Sequence, residues 1–148
     1  MAHETPAPAP ALTRDELVRL LRRQRYGVVA SLGPSGEPQA ATVGYGVSDA
    51  LELVFDTLGH TRKCQNLRRD GRVAFVVTEG EETIQCEGVA DEPRDAELDR
   101  LLPVYLAAFP DGLARQSWPG LTYVRIAVAW ARYSDFRGPE PRIVEARF

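Results

Sequence analysis

The longest continuous pattern of apolar and polar positions runs from Leu51 to Val77. Leu51, Leu53 and Phe55 alternate with Glu52, Val54 and Asp56, which predicts a strand with one apolar face. A polar turn at Thr57, Leu58 and Gly59 leads into a basic stretch, Thr61 to Arg69, that predicts a short helix. Asp70 and Gly71 then turn the chain into a strongly β-branched strand over 72–78. Strand, polar turn, short helix, strand is the unit around which the remaining pattern is arranged.

Upstream, Leu12-Thr13-Arg14-Asp15-Glu16 reads as a helix start. Thr13 is the cap, Glu16 completes a capping box, and Leu12 with Leu17 forms a hydrophobic staple. Leu17, Leu20 and Leu21 supply one apolar face, so a helix is predicted over 14–24. Residues 26–32 read as a strand, Gly33 to Gly36 as a turn, and 38–47 as the returning strand. Gly44 and Gly46 strip side chains from one face of that strand. Either a cofactor ring or a neighbouring strand approaches there, or the glycines ease a bend or bulge.

Downstream, 83–90 pairs back as a hairpin, and 94–108 is a helix that buries Leu98, Leu101, Leu102, Tyr105 and Leu106 and is kinked or split at Pro103. Residues 109–120 form a loop or one helical turn. Residues 121–133 make a long closing strand with Thr122, Val124, Ile126, Val128 and Trp130 on one side. The last residues, ending IVEARF, pack as a final arm or stay loose.

Six or seven strands joined mainly as hairpins predict a mainly β (α+β) fold, an antiparallel barrel with peripheral helices. The expected organisation is a disordered or polyproline-like tail over 1–11, one domain over 12–136 and a C-terminal arm over 137–148. No G-x-G-x-x-G follows the first strand, which excludes a dinucleotide-binding fold. A chain of 148 residues, 44% hydrophobic, needs only one core. The formal charge of -3 gives no general attraction for nucleic acid or anionic membrane. The first residues, MAHETPAPAPA, lack the basic start and apolar run of a signal peptide. Cys64 and Cys86 have no metal-ligand spacing, so they are expected to be free thiols of a reducing cytosol, and the protein to be cytoplasmic.

The candidate chemistry sits at the basic helix. Thr57, Thr61, Arg62, Lys63 and Asn66 place two hydroxyls, two cations and an amide within one short stretch, and Thr61 is positioned to cap the helix, so this corner suits a phosphate. The alternative is an arginine-rich solvated face continuing through Arg68 and Arg69. Lys63 is the only lysine, against seventeen arginines. His60 has no second histidine near it in the sequence and reads as a turn residue; no nucleophile with a base, and no zinc set, is evident. Trp118 and Trp130 are core or interface aromatics, or cofactor stackers.

Taken with the hairpin plan, the stretches SLGPSGEPQAATVGYG, FDTLGHTRKCQNLRRDGRVAFVV and TIQCEGVADE resemble the pyridoxamine 5'-phosphate oxidase-like family of FMN-binding split barrels over about 14–136. The resemblance implies a homodimer with two flavins at its interface. It places the FMN phosphate against Thr61, Arg62 and Lys63, with Thr57 and Asp56 at the strand end and Asn66 nearby. Backbone groups of Ala41, Thr42 and Val43 would run along the flavin ring, Thr83 stands where the oxidases use glutamine, and Trp130 lies near where the partner's late aromatic meets the ring. Ala41 replaces the oxidases' arginine, Gly46 their substrate-contacting lysine, and the ending EPRIVEARF lacks their Arg-x-His motif. The implied function is therefore an FMN-dependent oxidoreductase acting on an unidentified small molecule, with hydride transfer at flavin N5, and not vitamin phosphate oxidation. F420 or haem as the cofactor, or a non-catalytic dimeric flavin-binding module, are the alternatives.

Overall fold

The capping signal is realised in the computed structural model, which describes residues 11–148. The Glu16 N–H donates to Thr13 Oγ1 at 3.2 Å, and the Thr13 N–H donates to the Glu16 carboxylate at 3.4 Å. This box starts α1 (Arg14–Arg22), which buries Leu17, Val18 and Leu21 and ends two residues before the expected limit. The tail expected over 1–11 lies, Ala11 apart, outside the described residues.

The chain continues through β1 (Tyr26–Leu32), β2 (Pro38–Gly44), β3 (Gly46–Val47), β4 (Glu52–Leu58), α2 (Arg62–Arg69), β5 (Arg72–Glu79) and β6 (Glu82–Asp91). It ends with α3 (Asp95–Ala108), α4 (Gly112–Arg115), β7 (Leu121–Asp135) and β8 (Arg142–Arg147). The described strands number eight, more than the pattern predicts, because the returning strand breaks at Tyr45 and part of the C-terminal arm pairs with β7 as β8. The order is β2-β1-β5-β6-β7-β4-β3, antiparallel throughout. Since β2 pairs with β1, β3 pairs with β4, and only Tyr45 lies between β2 and β3, the two ends of the sheet are joined by the chain itself and the sheet curls into a split barrel. No helix among the described residues is long and apolar enough to cross a membrane.

Leu53 and Phe55 of β4 are fully buried in the barrel core with Val29, Phe75 and Ile126. The other face of β4, read from the sequence as the polar side, is also buried. Val54 packs with Leu101, Tyr105, Phe109 and Tyr123 in a second cluster beneath α3. α3 runs unbroken through Pro103. It explains both glycines of the broken strand: a Cβ on Gly46 would stand 2.6 Å from the Val104 carbonyl oxygen, and one on Gly44 would stand 2.4 Å from the Phe109 ring. What approaches that backbone is a helix and its terminal aromatic, in place of the cofactor ring or strand considered from the sequence.

A β-bulge corrects the reading of the closing strand. Glu87 pairs with Trp130 but Gly88 pairs with Val128, so Ala129 is an extra residue on β7 and the alternation reverses there. Val124, Ile126 and Val128 point to the core, then Ala131 and Tyr133 take over, and Trp130 passes to the outer face. Gly88 permits the close approach, since a Cβ there would stand 2.1 Å from the Ala127 oxygen.

Glu52 ties α3 to the barrel. It accepts from Arg100 through both carboxylate oxygens at 2.8 Å, from Arg125 at 3.3 Å and from the Ser48 hydroxyl at 2.8 Å. Arg100's hydrogen bonds lead the effects that hold this carboxyl at a pKa of about 2, below its ordinary 4.5. A depressed carboxylate pKa stabilises the folded state fully above the ordinary value and loses that contribution as pH falls through it toward 2. Glu52→Gln is therefore expected to flatten the loss of stability in acid, as measured by urea midpoints from pH 6 to about pH 3. Gly46→Ala drives a Cβ into helix backbone, and should cost about 1–3 kcal/mol in the same assay at neutral pH.

Candidate functional site

The strand-to-helix corner singled out in the sequence borders a cleft of about 320 Å³. Thr61, Arg62 and Lys63 from the start of α2 form one wall. The β1–β2 hairpin forms the other, through Val29 and Ser31 of β1 and Gln39, Ala40 and Ala41 of β2. Ser31 pairs with Gln39 and Val29 with Ala41, so these residues share one face of the hairpin. Ser31 and Gln39 were missed by sequence reasoning. Their signal was there: two polar residues opposite each other across an otherwise apolar hairpin.

Thr61 occupies the N-cap with extended backbone, φ -68° and ψ 154°, but makes no capping bond with its side chain. Its hydroxyl instead shares a hydrogen bond of 3.2 Å with that of Thr57. The expected cap is thus absent, and the first-turn N–H groups, which have no acceptor within the helix, have none from a capping side chain either. The first turn contains no acid and holds Arg62 and Lys63. A cation at this end of a helix opposes the macrodipole by roughly 0.3–1 kcal/mol. Two neighbouring arginines are paired with carboxylates, Arg68 with Glu92 and Arg72 with Asp70, and Arg69 is tied to the Leu32 carbonyl and the Asn66 amide oxygen. Arg62 and Lys63 have no ion-pair partner among the described residues.

Asn66 is buried, and both ends of its amide are occupied. Nδ2 donates to Ser31 Oγ at 3.0 Å and to Gln39 Oε1 at 2.5 Å, while Oδ1 accepts from Arg69 at 2.9 Å. Its geometry makes it the clamp between α2 and the hairpin, where the sequence suggested a phosphate donor. Asp56 faces away from the corner, because it alternates with Thr57, and its carboxylate accepts from Arg115 Nε at 2.8 Å beside α4. On β2, Ala41 lines the cleft, Thr42 is exposed and Val43 is buried in the core.

The other two expected residues are not brought to the cleft within one chain. Thr83 pairs with Thr78 and Ser134, two strands from β1 and toward the opposite end of the sheet, on the order of 15 Å away by strand spacing and rise. Trp130 lies in an outer groove of about 470 Å³ with Ala30, Ala74, Glu87 and Arg147. Cys64 and Cys86 are free and buried, as expected from their spacing. Burial pushes both thiols up, Cys86 to about 12, so neither offers a thiolate nucleophile at neutral pH. Replacing Asn66 with alanine leaves the Ser31 hydroxyl and the Gln39 amide without this partner and should destabilise the chain by about 1–3 kcal/mol in urea unfolding.

Residues 13–135 match the family profile described as pyridoxamine 5'-phosphate oxidase. A curated relative, the 5a,11a-dehydrotetracycline/5a,11a-dehydrooxytetracycline reductase of Streptomyces rimosus, is 35% identical over 63 residues, 40% of this chain and 44% of that protein. The chain thus spans less than half the length of that relative. Among solved structures, a haem-binding protein from Mycobacterium smegmatis matches with a TM-score of 0.79 at 20% identity, over 94% of this chain and 60% of that one. A pyridoxamine 5'-phosphate oxidase-related, FMN-binding protein from Nostoc punctiforme matches with a TM-score of 0.62 at 15% identity, over 88% of this chain and 90% of that one. At such identities the structural likenesses bear on the fold, whereas the profile covers most of the sequence. The chain belongs to the pyridoxamine 5'-phosphate oxidase-like family of split barrels.

Proposed function

We propose that the chain is a flavin-dependent oxidoreductase that grips the phosphate of FMN at the start of α2, in a site completed by a second copy of itself. The observation that carries this reading is the pair of cations without carboxylate partners, Arg62 and Lys63, at the end of a helix where the dipole disfavours them. A dianionic phosphate fits that corner. It would meet two cations, the Thr61 hydroxyl and the free N–H groups of the first turn. β2 pairs with β1 on one side, so alternate backbone groups along Ala41 to Val43 point away from β1 and can meet the edge of a flavin ring.

A flavin held there supplies hydride transfer at its N5. The chain's residues then need only bind and orient, which agrees with a cleft lining of hydroxyl, amide, cationic and apolar side chains. Ala41 and Gly46 provide no cationic substrate contact of the oxidase kind, so the vitamin phosphate is not the substrate proposed. The reductase activity named for the Streptomyces relative supports reduction of a small organic acceptor as the direction of chemistry. Haem is favoured less. His60 is the sole histidine among the described residues, and it sits on the exposed β4–α2 turn outside the cleft lining.

The outer groove supports a shared site. Gly44, Gly46 and α3 pack on one another, so that face is already covered within the chain. An uncovered apolar surface lies on the outer side of β1, β5 and β6, where Ala30, Ala74 and the 60%-exposed Val89 lie beside Trp130. An isologous pairing over this face would bring Trp130 of one copy toward the other, a role for it that one chain alone does not provide.

Reconstitution and desalting should leave a flavin visible spectrum on the chain, with F420 as the parallel arm of the assay. Lys63→Ala and Arg62→Ala should each weaken FMN binding about tenfold or more, the scale of a lost charge-assisted hydrogen bond. Neither should lower the stability of the apo chain, and each should relieve the unfavourable dipole interaction by roughly 0.3–1 kcal/mol. FMN retained at native affinity by the double variant would overturn the phosphate assignment. Flavin that binds, yet is never reduced by NADH, NADPH or reduced F420, would identify a non-catalytic binding module.

A further inference from the structure

A larger cavity, about 590 Å³, lies between the α1–β1 connection, the segment from Tyr45 to Val47 and the second half of α3. It shares no lining residue with the α2 cleft. Its volume falls in the range of small-molecule sites. Val47 on one side and Pro103, Val104 and Ala107 on the other give it apolar walls, and its charged lining residues are both cations, Arg22 and Arg25.

Arg25 is held in place without being neutralised. Its guanidinium stands 4.6 Å from the centre of the Phe109 ring and 6.0 Å from that of Tyr26, and one terminal nitrogen donates to the Ala108 carbonyl at 3.2 Å. Its Nε and other terminal nitrogen have no acceptor among the described residues, and it has no ion-pair partner there. Arg22 is more committed, donating to the Val47 carbonyl at 2.7 and 3.1 Å and to Asp49 at 2.9 Å. An arginine stacked on an aromatic face and tied at one end presents a preorganised fork, the geometry that receives a carboxylate.

We propose that this cavity binds a small organic carboxylate with an apolar body. The carboxylate lies on Arg25, Arg22 being already paired with Asp49, and the body lies against Pro103, Val104 and Ala107. A neutral ligand would leave the fork unmatched, and a highly charged one would waste the apolar walls. The assignment is independent of the flavin reading, because the two sites have no residue in common.

Calorimetric titration of the full chain with benzoate, and with benzamide as its uncharged counterpart, tests the assignment. Benzoate should bind saturably and at least tenfold more tightly than benzamide. Arg25→Gln should weaken benzoate at least tenfold and leave benzamide and FMN binding unchanged, with Arg25→Lys recovering part of the loss. Ala107→Trp, at an exposed helix position, should fill the cavity and abolish binding of both probes. If Arg25→Gln does not fold, the benzoate-to-benzamide ratio and the Ala107→Trp result decide the matter. Equal binding of the two probes, benzoate binding unaffected by Ala107→Trp, or no saturable benzoate binding at millimolar concentrations would overturn it, whatever the outcome with FMN.

Discussion

Barrel closure through a single broken strand is the constraint on which the other features depend. β2 completes a hairpin with β1, β3 pairs with β4, and Tyr45 lies between them. Tyr45 is 1% exposed; its hydroxyl donates to the Leu21 carbonyl, its N–H donates to the Arg25 carbonyl, and its ring meets Phe75 edge to face at 5.2 Å. A buried tyrosine with its hydroxyl satisfied combines large apolar burial with a fixed orientation. This junction joins α1, the barrel interior and the turn of the chain from one sheet edge to the other. The β1–β2 hairpin is thereby held at one end by Tyr45 and at the other by Asn66, through Ser31 and Gln39. The α2 cleft lies beside the second attachment, lined by Ser31 and Gln39.

Local signals survived into the structure wherever neighbours in sequence decide the outcome. The capping box at Thr13 and Glu16, the alternation of Leu53 and Phe55, and the hairpins at 33–36 and 80–81 are of this kind. The misreadings occur where a distant segment intervenes. Val54 and Glu52 belong to the polar side of β4 by alternation, and are buried because α3 crosses them. Gly44 and Gly46 lack side chains because Phe109 and Val104 need the space, and those residues lie some sixty positions along the chain. Trp130 changed face through one extra residue, Ala129, which no periodicity in β7 alone reveals.

The candidate site was legible in part for the same reason. Thr61, Arg62 and Lys63 are consecutive, and a strand-to-helix corner places consecutive residues together. Asn66, expected from the sequence beside the phosphate, has its amide occupied by partners that include a hairpin read separately from the helix. Asp56 was included through proximity in sequence to Thr57, although successive strand residues point to opposite faces. The corner also holds an electrostatic conflict: a helix start without acid or side-chain cap, carrying two cations that lack the carboxylate partners of Arg68 and Arg72. An apo chain gains nothing from this arrangement, and a bound anion reverses its sign.

The phosphate, more than the ring, is proposed to anchor the flavin at this corner. Titrating the chain with FMN and with riboflavin, which differ only by that phosphate, isolates its contribution. Riboflavin is expected to bind at least about a hundredfold more weakly than FMN, the scale of two lost charge-assisted contacts, and the Arg62→Ala, Lys63→Ala double variant to narrow the difference sharply. Riboflavin binding as tightly as FMN to the native chain would contradict it.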